Sequence, residues 1–144
     1  MRSFQFTAST CGCSVTMLDC GMHPGDVPEP MISRFARAFR AGEYDFSALF
    51  ASSDYGALKM LQALRALQVD VPGDLSILGF GNVEMPGIEE LATIDISKRK
   101  IAEAVMEMAA NILSGKSGFE TQITIMPELV DRRSLCPLPA CRTV

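Results

Sequence analysis

The sequence predicts an α/β fold, a parallel sheet flanked by helices. Short apolar runs alternate with longer segments whose apolar residues recur every three or four positions. These segments follow one another as strand, helix, strand, helix, strand, at the spacing of crossover units. Two of the runs also empty into small polar steps, Ser53-Asp54 and Gly81-Asn82. Steps of this kind hold ligands outside the carboxyl ends of parallel strands. At 144 residues the chain is about one domain's worth.

Taken in order, Cys13-Ser-Val-Thr-Met-Leu18 is expected as a short strand, followed by a Pro/Gly-rich loop from Gly21 to Pro30. Ile32, Phe35, Ala36 and Phe39 then fall on one helical face, with Gly42 placed to cap its end. Phe46–Ala51 is a buried-strand candidate. Ser52, Ser53 and Asp54 offer N-caps to a helix striped by Leu58, Leu61, Leu64 and Leu67. Pro72-Gly73 marks a turn before a third strand, Leu75–Phe80. Leu91–Ile96 is a further strand. Ile101, Val105, Met108 and Ile112 stripe a helix that ends near Ser114-Gly115. Ile123–Met126 and Leu129-Val130 are expected as short strands on either side of Pro127, and the tail SLCPLPACRTV as loose chain.

Composition excludes several function classes. A net charge of −4 gives no basic footprint for nucleic acid. Lys98-Arg99-Lys100 is the one basic cluster and is expected on a solvated face. The sequence contains neither an apolar window long enough to span a membrane nor a signal peptide, so no membrane partner is expected. Cys11, Cys13, Cys20, Cys136 and Cys141 match no zinc spacing and are expected as reduced thiols of a cytoplasmic protein. His23 is the only histidine and lies in the turn-rich HPGDVPEP, which leaves no Ser-His or Cys-His pair for catalysis. Gly79-Phe80-Gly81 is half of a dinucleotide loop, but Glu84 stands where the last glycine belongs. No enzyme activity, metal or cofactor is expected. Asp54 reads as an N-cap of the helix that follows, or alternatively as a metal ligand or catalytic acid.

The run ALFASSDYGALKMLQALRALQVDVPGDLSILGFGN resembles the LacI/GalR family of bacterial transcription regulators. That family shows an apolar strand, a small-polar-plus-Asp step, an Ala-rich helix, V-P-x-D, a strand and G-F-D-D. Leu91-Ala-Thr-Ile94 is similar to its L-T-T-V step, and Pro127-Glu-Leu-Val-Asp-Arg-Arg-Ser134 to its P-E-L-V-x-R-x-S ending. Upstream, Arg2, Phe6, Ala8 and Gly12 follow a family helix in which Gln5 replaces a glycine. The resemblance runs in order from residue 2 to residue 134.

The resemblance implies one lobe of a periplasmic-binding-protein-like type I fold, with a sugar-sized ligand between two lobes. Residues 1–95 would form the carboxyl-terminal lobe. Residues 96–118 would be a crossover helix belonging to an amino-terminal lobe missing from this sequence, 119–134 return strands and 135–144 a tail. The DNA-binding domain is absent, so operator DNA would be reached only through a helix-turn-helix outside this stretch. Arg2, Ser53, Asp54, Gly81 and Asn82 occupy the family's ligand positions, and Val27 lies near a variable stacking position. Residues 83–90 lie where relatives build part of a dimer contact, so a homodimer is expected. The stripe of the crossover helix would lack its partner, and self-association is expected from it.

Gly81 and Asn82 stand where the family has two aspartates. A carboxylate at 81 would suit a neutral polyol. Facing a ligand carboxylate at about 4 Å, it would cost about 4 kcal/mol at an effective dielectric near 20, roughly a thousandfold in affinity. The glycine is read either as making way for a sugar acid, gluconate-like, held by Arg2, or as making room for or shaping a backbone turn. The expected function is effector sensing coupled allosterically to operator binding. The competing expectation is a lobe of a periplasmic or ABC-type sugar-binding protein.

Overall fold

The computed structural model describes residues 2–18 and 29–137, with side chains from residue 5 onward. The expected loop Gly21–Pro30 therefore falls mostly outside the described residues. Cys20, His23, Val27, Cys141 and the last seven residues fall wholly outside them.

Helix α1 (Arg2–Thr10) is followed by α2 (Glu29–Arg40), β1 (Ala48–Phe50), α3 (Asp54–Ala66), β2 (Ser76–Phe80) and β3 (Ala92–Asp95). Helix α4 (Lys98–Leu113) and β4 (Glu128–Val130) complete the order. The sheet runs β1-β2-β3-β4. β1, β2 and β3 are parallel, with Leu49 beside Ile77 and Gly79 beside Thr93. β4 closes the edge antiparallel to β3, with Ile94 opposite Leu129. The mostly parallel sheet with flanking helices is the expected class.

The core forms where α2 and α3 cover one sheet face. Ile32, Phe35 and Ala36 of α2 meet Leu58, Leu61 and Leu64 of α3, and both helices lie over Leu75 and Ile77. The spacing of these residues is that of one helical face. Phe35 also stacks on Tyr44 at 5.5 Å between ring centroids. Gly42, in the left-handed region at φ +78, ends α2 as expected. Its N–H donates to Phe39 O, and Glu43 N–H to Ala38 O.

Three expectations are corrected. Cys13–Leu18 is not a strand: it pairs with no ladder among the described residues, and Cys13 N–H donates to Ala8 O at 2.9 Å, closing α1. β-branched content favours strand, but a strand forms only where its backbone groups find a partner. Ile123–Met126 likewise carries no ladder, and pairing starts only at Glu128, just after Pro127 has removed a donor. Ser134 is not loose. It is fully buried, its hydroxyl accepting from Ala92 N–H at 2.8 Å and donating to Ile77 O at 2.6 Å.

Candidate functional site

Ser53 takes an extended conformation before α3, and its Oγ accepts from Gly56 N–H at 3.2 Å, the geometry of an N-cap. This leaves Asp54 free to turn across the sheet. Its carboxylate is fully buried and accepts from Thr93 Oγ1 at 2.5 Å and Val83 N–H at 2.8 Å. Asp54 thereby ties the start of α3 to the middle of β3 and to the exit of β2. A Cβ at Gly79 would overlap Asp54 Oδ1, so that strand glycine exists to admit the carboxylate. The half dinucleotide motif at Gly79-Phe80-Gly81 has this internal cause.

β2 ends at Phe80, and the chain then turns through two left-handed residues, Gly81 at φ +121 and Asn82 at φ +47. Glycine enters that region without strain, and asparagine is among the few side chains that tolerate it. A Cβ at Gly81 would also stand 3.6 Å from Asp54 Oδ2. An aspartate at 81 would thus be strained by its backbone conformation, with its Cβ in ordinary contact with Asp54. The structure provides a reason for the glycine within the chain itself.

Asn82 makes four polar contacts. Its N–H faces Thr93 Oγ1 at 3.4 Å, and its Nδ2 donates to Asp95 Oδ2 at 3.1 Å. Its Oδ1 accepts from Arg132 Nη2 at 2.9 Å, and its carbonyl from Lys98 Nζ at 3.4 Å. Arg132 is held in turn by Leu91 O at 2.8 Å. Asp95 Oδ1 accepts from Ser97 N–H at 2.7 Å. That backbone hydrogen bond, then the Asn82 amide, then the Lys98 and Lys100 charges hold the Asp95 carboxyl below its ordinary value.

These strand exits border a cleft of about 580 Å³. Asn82, Val83 and Glu84 form one side, and Asp95, Ser97, Lys98 and Arg99 the other. The cleft offers amide, cationic and carboxylate groups within one space, a lining suited to a small polar ligand. No cluster of three or more metal-binding side chains occurs among the described residues.

Of the expected site residues, Asn82 lines the cleft. Gly81 and Asp54 are buried beneath it. Ser53 is engaged in capping α3 and is not part of the lining. Arg2 opens α1, and its side chain lies outside the described residues. Sequence reasoning missed Asp95, Lys98 and Arg132. Lys98, Arg99 and Lys100 are exposed, as expected; Lys98 and Arg99 border the cleft, Arg99 also pairs with Glu103 at 3.6 Å, and Lys100 pairs with Glu128 at 2.8 Å. Arg132 lies in the PELVDRRS stretch, whose regularity was its only signal.

Residues 3–135 match the family described as periplasmic binding protein-like domain. The chain is 34% identical over 99 residues to the HTH-type transcriptional regulator DegA of Bacillus subtilis, covering 64% of this chain and 28% of that protein. It is 29% identical over 91 residues to the HTH-type transcriptional repressor PurR of Aliivibrio salmonicida, covering 62% and 27%. Among solved structures, a LacI-family transcriptional regulatory protein from Corynebacterium glutamicum superposes with a TM-score of 0.74 at 26% identity, covering 94% of this chain and 52% of the other. A LacI-family regulator from Lactobacillus casei with bound sucrose gives a TM-score of 0.74 at 21% identity, covering 93% and 50%. The chain thus spans about a quarter of the curated relatives' length and about half of these solved chains. Matched over nearly its whole length, the chain belongs to the periplasmic binding protein-like family, in the company of LacI-family regulators.

Proposed function

We propose that this chain is the effector-binding portion of a LacI-type transcription regulator. It senses a small sugar or sugar acid, gluconate-like, and couples it allosterically to operator binding by a homodimer whose DNA-binding heads lie outside this stretch. The observation that carries the reading is the cleft at the carboxyl ends of β2 and β3, where Asn82, Lys98 and Arg99 converge. A sugar acid presents one carboxylate and several hydroxyls. Lys98 and Arg99 suit the carboxylate, and Asn82, Glu84 and Asp95 suit the hydroxyls. Asp54 and Gly81 lie buried next to this lining, and Arg2 and Ser53 belong to the proposed ligand set through the family resemblance alone.

In this reading residues 1–95 form one lobe, 96–118 reach into a second, 119–134 return and 135–144 form a tail. α4 supports this division, because none of its residues is buried. A ligand that favours one arrangement of the two parts shifts their equilibrium by its differential affinity.

Thermal denaturation of this chain within a full-length protein that carries both lobes, with gluconate, galacturonate, glucose and sucrose at up to tens of millimolar, tests the reading. Ligand at about 100 times its Kd adds about 2.7 kcal/mol, a rise of several degrees for a domain of this size. Stabilisation by the acids that is lost in Lys98→Gln is the expected result. Stabilisation by neutral sugars alone would remove the anionic specificity, and no shift with any sugar would overturn the reading.

A further inference from the structure

Helix α4 is 16 residues long and buries none of them. Apolar packing, the usual source of helix position in a protein, is slight here, with only Ala104, Met108 and Ala109 half-buried among its apolar residues. Its polar contacts to the sheet region, among the described residues, gather at its N-terminal end. Asp95 Oδ1 holds Ser97 N–H at 2.7 Å, Lys98 Nζ reaches Asn82 O at 3.4 Å, and Lys100 pairs with Glu128 at 2.8 Å. Asp95 is itself held through its other oxygen by Asn82 Nδ2, while Asn82 Oδ1 is held by Arg132. Asn82 thus joins three segments: the exit of β2, the crossover into α4, and the chain after β4.

The chemistry of residue 82 follows from its neighbours. It must donate to a carboxylate on one side and accept from a guanidinium on the other. An amide does both; an ionised carboxylate accepts only. Asn82 and Ser97, at φ +47 and +49, are both left-handed non-glycine residues, and the Asp95 side chain bonds to both. Strained residues persist where surrounding contacts over-determine them.

We infer that Asn82 is a positioning residue, its amide clamped between Asp95 and Arg132 and setting the pose of α4 against the sheet. The functional consequence rests on the ligand reading above. A ligand carboxylate that takes the Lys98 ammonium draws it from the Asn82 carbonyl, so occupancy of the cleft acts on the clamp. The clamp itself is present without ligand and is tested without it, so its failure is distinct from a failure of that reading.

Amide hydrogen exchange on the ligand-free chain provides the test. Asn82→Gly keeps the left-handed backbone and removes both side-chain bonds. Exchange at Ser97 and from Ile101 to Ala104 is expected to accelerate about tenfold or more, the scale of losing hydrogen bonds to charged groups. Amides of β2 and α3 are expected to keep their rates. Unchanged exchange at Ser97 and Ile101 would overturn the inference. If Asn82→Gly loosens β2 and α3 as well, the double variant Asn82→Asp/Asp95→Asn decides, because it exchanges donor and acceptor while keeping an acceptor for Arg132. Exchange within about threefold of the native chain supports the clamp, on the same scale; faster exchange at Ser97, or an unfolded double variant, overturns it.

Discussion

Asp54 occupies the first turn of α3, where an aspartate ordinarily caps its own helix. Here Ser53 does the capping, and the Asp54 carboxylate reaches instead to Thr93 and Val83, with Gly79 clearing its path. Replacing it by asparagine would put an amide donor against one of two donors and remove the charge from the other bond. Charge-assisted hydrogen bonds and unsatisfied buried groups are each worth about 1.5–3 kcal/mol. Asp54→Asn is expected to lower the unfolding free energy by about 3 kcal/mol, measured by urea denaturation. A loss under about 0.5 kcal/mol, the range of ordinary surface changes, would show that the carboxylate is dispensable. The residue types of this site were legible in sequence as a polar step at each strand exit. Their partners were not, because Asp54, Val83 and Thr93 are brought together only by the sheet.

At the scale of elements, the core helices were the easiest to read. α2 and α3 bury stripes at helical spacing, and their periodic apolar residues carry that information locally. Strands depended on company. Phe46–Ala51 and Leu91–Ile96 contain observed strands because β2 lies between them, whereas Cys13–Leu18 has comparable composition and no ladder partner. The crossover into α4 carries its own pH dependence. Asp95, facing Asn82, Ser97, Lys98 and Lys100, has its folded pKa lowered from the ordinary 3.8, first by the Ser97 backbone hydrogen bond and then by the Asn82 amide. A depressed carboxylate contributes stability that is fully present above its unfolded pKa and is lost as pH falls through the folded one. Chemical-shift titration of the Ser97 amide is expected to show this contact intact near neutrality and lost only below 3.8. The same titration in Asn82→Gly is expected to move its midpoint upward. A Ser97 midpoint at or above the ordinary value in the native chain would contradict the assigned hydrogen bonds.

The whole molecule is covered unevenly. One face of the sheet carries α2 and α3, while α4 stands in solvent with Met106 69% and Leu113 87% exposed. Met126 and Leu129, at the return to the sheet, are exposed as well. Apolar surface of this extent favours association, and the chain is expected to sediment as a dimer or larger species at tens of micromolar. Monomer alone at that concentration would show that the exposed stripe does not drive pairing. The sequence by itself determined the fold class, the two core helices, the parallel order implied by their crossovers, and the family. Those properties follow from local periodicity and from motifs read along the chain. Only the tertiary structure decided which polar residues share a site: Asn82 with Asp95 and Arg132, Asp54 with Thr93, Ser134 with Ile77 and Ala92. Hydrogen bonds between residues 13 to 57 positions apart leave no periodic trace. Their partners become neighbours only once burial of the α2–α3 face has brought the strands into register.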